Sequence, residues 1–119
     1  MPETPGRPRR LVWVADSLDR LTAFSPAVRQ ELGFALYQAQ IGQAYESAKL
    51  LRGFTENVWQ VRADDSSGTY RAVYVVSLGD AIFVLHAFQK KSTSGIATRQ
   101  RDMELIRKRL RLAQMLAGR

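Results

Sequence analysis

The 119-residue sequence predicts a single α+β domain: two N-terminal helices packed on a mainly antiparallel sheet of about four strands, then a C-terminal helix. Three observations predict it. An apolar stripe at helical spacing follows Ser25-Pro26. Three β-prone runs follow one another between residues 58 and 89, joined by short polar connections that favour an antiparallel meander. A second helical stripe closes the chain, and it is strongly basic.

In chain order, residues 1–9 contain three prolines, a glycine and little apolar content, and read as a flexible tail ahead of one domain over 10–119. Arg10–Ala15 is short and β-rich, so a first strand is expected there. Asp16 and Ser17 can cap a short helix running to Phe24. Ser25 can accept a hydrogen bond from a free amide of the next helix, and Pro26 suits its first position. Val28, Leu32, Ala35, Leu36 and Ala39 then recur on one face, and Gly42 is the expected stop. Lys49–Gly53 reads as a short clip before a turn. Val58–Asp64 alternates, with Trp59, Val61 and Ala63 on one side and Val58, Gln60 and Arg62 on the other. Asp64–Gly68 has the composition of a hairpin loop. Thr69–Leu78 is the next strand, Gly79-Asp80 a tight connection, and Ala81–Gln89 the strand after it. Residues 90–97 read as a loop. Thr98 can cap the last helix, in which Met103, Ile106, Leu110 and Ala113 share a face and Gly118 lies past the end.

Composition bounds the function. The chain has no cysteine, which excludes disulfides and thiolate metal sites. No apolar run approaches the roughly 20 residues of a membrane span, and the run after Arg7, Arg9 and Arg10 is too short for the core of a signal peptide. A cytoplasmic protein is expected. The net charge of +7 lies entirely in residues 89–119, where nine basic residues face two acidic ones. A basic patch of this kind attracts RNA, DNA or an acidic protein, although a solvated helix face gives the same count.

Phosphate-binding loops, dinucleotide glycine patterns, His-Glu-x-x-His and Cys/His metal spacings are all missing. What remains is a set of cations on strands. Arg62 and Arg71 sit on consecutive strands, and Lys90 and Lys91 end the next one. If their phases agree, they converge on one face of the sheet, where arginines can hold a phosphate through paired hydrogen bonds. His86, the single histidine, lies in an apolar run and fits a satisfied core position as well as a chemical one. Tyr70, Tyr74 and Phe88 can stack on bases or fill the core.

The series Leu50–Phe54, Val58–Arg62, Gly68–Tyr74 and Val84–Ser92, with the arginine-rich final helix, resembles the RelE/HigB family of bacterial toxins, in particular its phage-derived HigB-like branch. The resemblance covers roughly residues 50–92 and implies a RelE-like fold. It also implies the toxin of a type II toxin–antitoxin pair: a ribosome-dependent mRNA endoribonuclease in which a 2′-hydroxyl attacks the adjacent phosphate without a metal or other cofactor. On that reading Arg62 and Arg71 hold the phosphate, Lys90 or Lys91 supplies charge and proton transfer, and His86 is a possible base. Tyr70, Phe88, Arg99, Arg107, Lys108, Arg109 and Arg111 are then the candidates for binding RNA. The implied partners are the ribosome with its mRNA and a cognate helix-turn-helix antitoxin of the HigA type, through which alone operator DNA would be met; no membrane is involved. Related proteins that inhibit DNA gyrase without cutting RNA, and a plain basic nucleic-acid-binding module, are the alternatives.

Overall fold

The computed structural model describes residues 7–90 and 96–118, with side chains described over 7–90 and 99–118. The elements run β1 (Arg10–Trp13), α1 (Ser17–Thr22), α2 (Pro26–Gln40), β2 (Lys49–Leu50), β3 (Val58–Asp65), β4 (Gly68–Val75), β5 (Ala81–Lys90) and α3 (Ile96–Leu116). They form one five-stranded sheet in the order β1-β5-β4-β3-β2. The α+β class, the meander and the three helices match the expectation. The extra strand is β2: the clip at Lys49-Leu50 adds two exposed residues to the free edge of β3. β1 pairs with β5 in parallel, while every other pairing is antiparallel.

The helix after Ser25 forms for the reasons the sequence offers. Ser25 is extended, its Oγ accepts from the Val28 amide at 3.4 Å, and Pro26 opens the first turn. Val28, Leu32, Ala35, Leu36 and Ala39 are all buried, against Val61, Ala63, Tyr70, Ala72, Tyr74, Ile82 and Val84. Gly42, at φ +81°, ends the helix with its amide on the Ala39 carbonyl. Desolvation in this core raises the Tyr74 phenol to about 12, which fits a core residue rather than a base-stacking one.

The opposite face of the sheet carries a second core. Val58, Val73, Val75, Phe83 and Leu85 pack there against Ile106, Leu110 and Ala113 of α3. That helix begins at Ile96, two residues before the expected cap at Thr98, and Gly118 at φ +83° follows its end. Of the predicted loop 90–97, residues 91–95 lie outside the described residues, and Lys90 still belongs to β5.

Three local features were not in the sequence reading. Most of the tail lies outside the described residues, but Arg9 is anchored: its guanidinium donates to the carbonyls of Val76, Gly79 and Ala81 at 2.7, 3.1 and 2.9 Å. Asp16 precedes α1 without capping it, and its carboxylate is drawn to two arginines instead. The β4–β5 register slips between Val73↔His86 and Tyr74↔Val84, so Leu85 is a bulge.

Candidate functional site

Strand periodicity decides which side chains meet. On β4, Tyr70, Ala72 and Tyr74 point to the α2 side, so Arg71 and Val73 point to the α3 side. Val84 on β5 is also an α2-side residue. Strict alternation would then carry His86, Phe88 and Lys90 to the α2 side, away from Arg71. The bulge at Leu85 resets the phase. After it, His86 stands opposite Val73, Phe88 opposite Arg71 and Lys90 opposite Thr69, all on the α3 side.

The result is a cleft of ≈ 210 Å³ between the sheet and the first half of α3. Arg71, Phe88, Lys90 and Arg99 line it, together with Gln60, Asp102 and an apolar floor of Leu51, Met103 and Ile106. Three cations thus face one carboxylate. Arg71 is half-buried, and among the described residues its Nε has no hydrogen-bond partner. Burial pushes the pKa of its guanidinium down from the ordinary value, and Arg62 and Arg99 push the same way. Arginine remains charged nonetheless. A desolvated cation with a spare donor at the wall of a cationic cleft is suited to a bound anion.

Arg62 is directly across the ladder from Arg71, but its side chain turns toward Asp64 at 3.9 Å and it does not line the cleft. Lys91 lies outside the described residues. Tyr70, expected among the RNA-facing groups, is on the other face of the sheet: its ring packs on Phe24 at 4.7 Å and its hydroxyl is hydrogen-bonded to Ser67. A side chain that close to α1 cannot meet a ligand held by Arg71.

His86 and Arg109 form a buried polar layer behind the cleft. His86 is 1% exposed and stacks on Phe88, with ring centroids 4.8 Å apart. Arg109 reaches its Nδ1 at 3.3 Å, and Asp102 Oδ1 lies 3.3 Å from its Nε2. A guanidinium can only donate, so Nδ1 accepts and Nε2 carries the proton toward Asp102. Burial lowers the pKa of His86; the Asp102 hydrogen bond opposes that shift, while the Arg109 charge adds to it. The imidazole is therefore neutral with both nitrogens engaged, and it does not line the cleft.

Arg109, expected to face RNA, is only 7% exposed. Its Nη1 also donates to the carbonyl of the bulged Leu85 at 3.0 Å, and its Nη2 meets Asp16 at 2.6 Å. Its donors are committed to holding α3 against β5 and the start of α1. Hydrogen bonding to Arg20, which outweighs desolvation, and contact with Arg109 hold the Asp16 carboxyl below its usual range. Arg107, Lys108 and Arg111 are exposed further along α3, with Arg107 over the Phe54 ring at 5.7 Å.

Asp102 was missed. It falls in the same helical phase as Met103 and Ile106, and an acid in an apolar stripe is the signal that could have found it. Among the described residues, no three His, Cys, Asp or Glu side chains cluster closely enough to hold a metal ion, and no helix is long and apolar enough to cross a membrane.

The fold and cleft define a small α+β protein with a cation-lined groove between a sheet and its last helix. The chain belongs to the family described as Phage derived protein Gp49-like (DUF891), whose profile matches residues 19–111. Among solved structures it is similar to the E. coli toxin RelE. An arginine-to-alanine double variant of that toxin in the free state superposes with a TM-score of 0.57 at 22% identity, covering 72% of this chain and 87% of the other. The isolated E. coli RelE toxin superposes with a TM-score of 0.54 at 19% identity, covering 82% and 98%. Both likenesses are of fold, and with the family they bear out the resemblance read from residues 50–92. No curated protein matches the chain.

Proposed function

We propose that this protein is the toxin of a type II toxin–antitoxin pair and acts in the cytoplasm as a ribosome-dependent mRNA endoribonuclease. The observation that carries the reading is Arg71: a half-buried guanidinium with an unpartnered Nε, in a cleft shared with Phe88, Lys90 and Arg99. The RelE fold supports the class of protein, and the cleft supports the chemistry.

In this reading Arg71 holds the scissile phosphate and stabilises the charge that builds on its oxygens as the 2′-hydroxyl attacks. Arg99 adds positive potential from α3, and Arg62 adds it from the neighbouring strand. Lys90 donates a proton to the departing 5′-oxygen. Phe88 has His86 on one side, and its cleft side takes a base. His86 is not the base: its one free lone pair points at Arg109. The products are a 2′,3′-cyclic phosphate and a 5′-hydroxyl. No step in this scheme requires a metal.

A cognate antitoxin of the helix-turn-helix HigA type neutralises the protein, and operator DNA is met only through it. The test is purified ribosomes programmed with mRNA. Cuts made by the wild-type protein and lost with Arg71→Ala, while ribosome binding persists, sustain the proposal. Intact mRNA combined with inhibition in a DNA gyrase assay would replace it with the non-catalytic alternative.

A further inference from the structure

We infer that Asp102 is the general base of the cleft, a carboxylate that removes the proton from the attacking 2′-hydroxyl, and that His86 positions it. The inference rests on the RNA-cleaving reading above and adds the group that reading leaves unassigned.

Asp102 is the one carboxylate that lines the cleft alongside Arg71, Phe88 and Lys90 among the described residues. Its side chain is 31% exposed, while the imidazole bonded to it is 2% exposed. The pair therefore has a buried anchor and an open end. The anchor is fixed on three sides. Arg109 holds Nδ1, Phe88 stacks on the ring, and Nε2–H donates to Asp102 Oδ1. Because Nδ1 is bound to accept, the direction of the Nε2 bond is set, and Oδ1 stays an acceptor as long as Arg109 is in place. Asp102 also lines a second depression beside α1, with Arg20 and Phe88, so its outer side is open to solvent. A base must be held in place and reachable by substrate; Asp102 is both, whereas His86 is buried with both ring nitrogens engaged.

In the step, the 2′-hydroxyl gives its proton to Asp102 as the 2′-oxygen forms a bond to phosphorus. The bond from phosphorus to the 5′-oxygen breaks, and that oxygen takes its proton from Lys90. Asp102 ends protonated and Lys90 neutral, and exchange with water restores both. The groups facing Asp102 are His86 and Lys90 from β5, Arg71 from β4, Arg20 from α1 and Arg99 on its own helix. Apart from His86, whose Nδ1 lone pair is taken by Arg109, these are cations with donors only, so among the described residues Asp102 is the carboxylate of the cleft with oxygens left to accept the 2′-hydroxyl proton.

The full-length protein is assayed on mRNA-programmed ribosomes as wild type, Asp102→Asn and Asp102→Glu, with cleavage rate, ribosome binding and the pH profile as readouts. Asparagine can still accept from His86, so the fold is kept while the base is removed. The expected result is a loss of about a hundredfold or more in cleavage for Asp102→Asn, with binding unchanged and the acid-side fall in rate abolished. Asp102→Glu, which keeps a base one methylene further out, recovers part of the rate. Wild-type rate and pH profile in Asp102→Asn, or equal loss in both variants, overturns the assignment and leaves the cleavage reading standing. If the wild-type protein makes no cut, that reading falls and the assignment falls with it.

Discussion

The two faces of the sheet are built on different terms. On one side α2 lays Val28, Leu32, Ala35, Leu36 and Ala39 against Val61, Ala72, Tyr74, Ile82 and Val84. On the other, α3 seals only its second half, with Ile106, Leu110 and Ala113 on Val73, Val75, Phe83 and Leu85. Its first half stands over Arg71, Phe88 and Lys90 and leaves a cleft. The closed face gains its stability by removing apolar surface from water. The open face keeps a desolvated cation with a spare donor, which adds nothing to stability and fits a ligand.

If that division holds, substitutions on the two faces should separate stability from activity. The largest effect on stability is expected from Leu36→Ala, which removes a fully buried side chain from the α2 core. The loss should be about 2–5 kcal/mol, read as a lower urea midpoint, with residual cleavage per folded molecule unchanged. Arg71→Ala should do the reverse. Cleavage on programmed ribosomes should fall about 10²–10³-fold, the scale for removing one oxyanion-type donor, and the melting temperature should not fall. A matching drop in melting temperature would mean that Arg71 is a structural group and that the two faces are not divided in this way.

The closed face was legible in the sequence because one periodicity governs it. Each of the five α2 stripe residues is buried, and the capping serine and terminal glycine act as their types predict. The open face was legible in part. Arg71, Phe88, Lys90 and Arg99 do share a cleft, but they meet only because Leu85 bulges out of the β4–β5 ladder. Val84-Leu85-His86 contains no glycine or proline to mark such a bulge, and what accompanies it is distant in sequence: Arg109 bonds the Leu85 carbonyl. The same distance hid the role of Arg109, which in sequence is one more cation among Arg107, Lys108 and Arg111. Charge count cannot tell a solvated arginine from one facing Asp16, His86 and a bulge carbonyl.

A smaller effect tests the buried polar layer behind the cleft. His86 is held neutral, its pKa below the ordinary 6.5, chiefly by burial. The unfolded chain binds a proton there as the pH falls through about 6.5 while the folded chain does not. The stabilisation is therefore complete above that pH and declines as the pH drops toward the folded value, by at most about 1.4 kcal/mol per pH unit. Asp16, lowered from 3.8, acts in the same direction in more acidic solution. Urea midpoints should show the slope setting in below about pH 6.5 in the wild type and a flatter one in His86→Gln. An unchanged slope in the variant would assign the acid sensitivity to the carboxylates.

The smallest effect separates neighbours on α3 itself. Lys108 is exposed, whereas Arg109, the next residue, is buried. If the outer surface of the helix contributes only long-range attraction to RNA, Lys108→Ala should weaken ribosome binding modestly and lower the salt slope by about 0.7–0.9 for one phosphate contact. The single-turnover cleavage rate at saturation and the urea midpoint should not move. Arg109→Met should leave the salt slope alone and lower the urea midpoint, because the Leu85 carbonyl and His86 Nδ1 lose their donor and Asp16 loses one of its two arginines. Equal salt-slope changes in the two variants would place Arg109 at the RNA surface and make the buried layer part of the binding face.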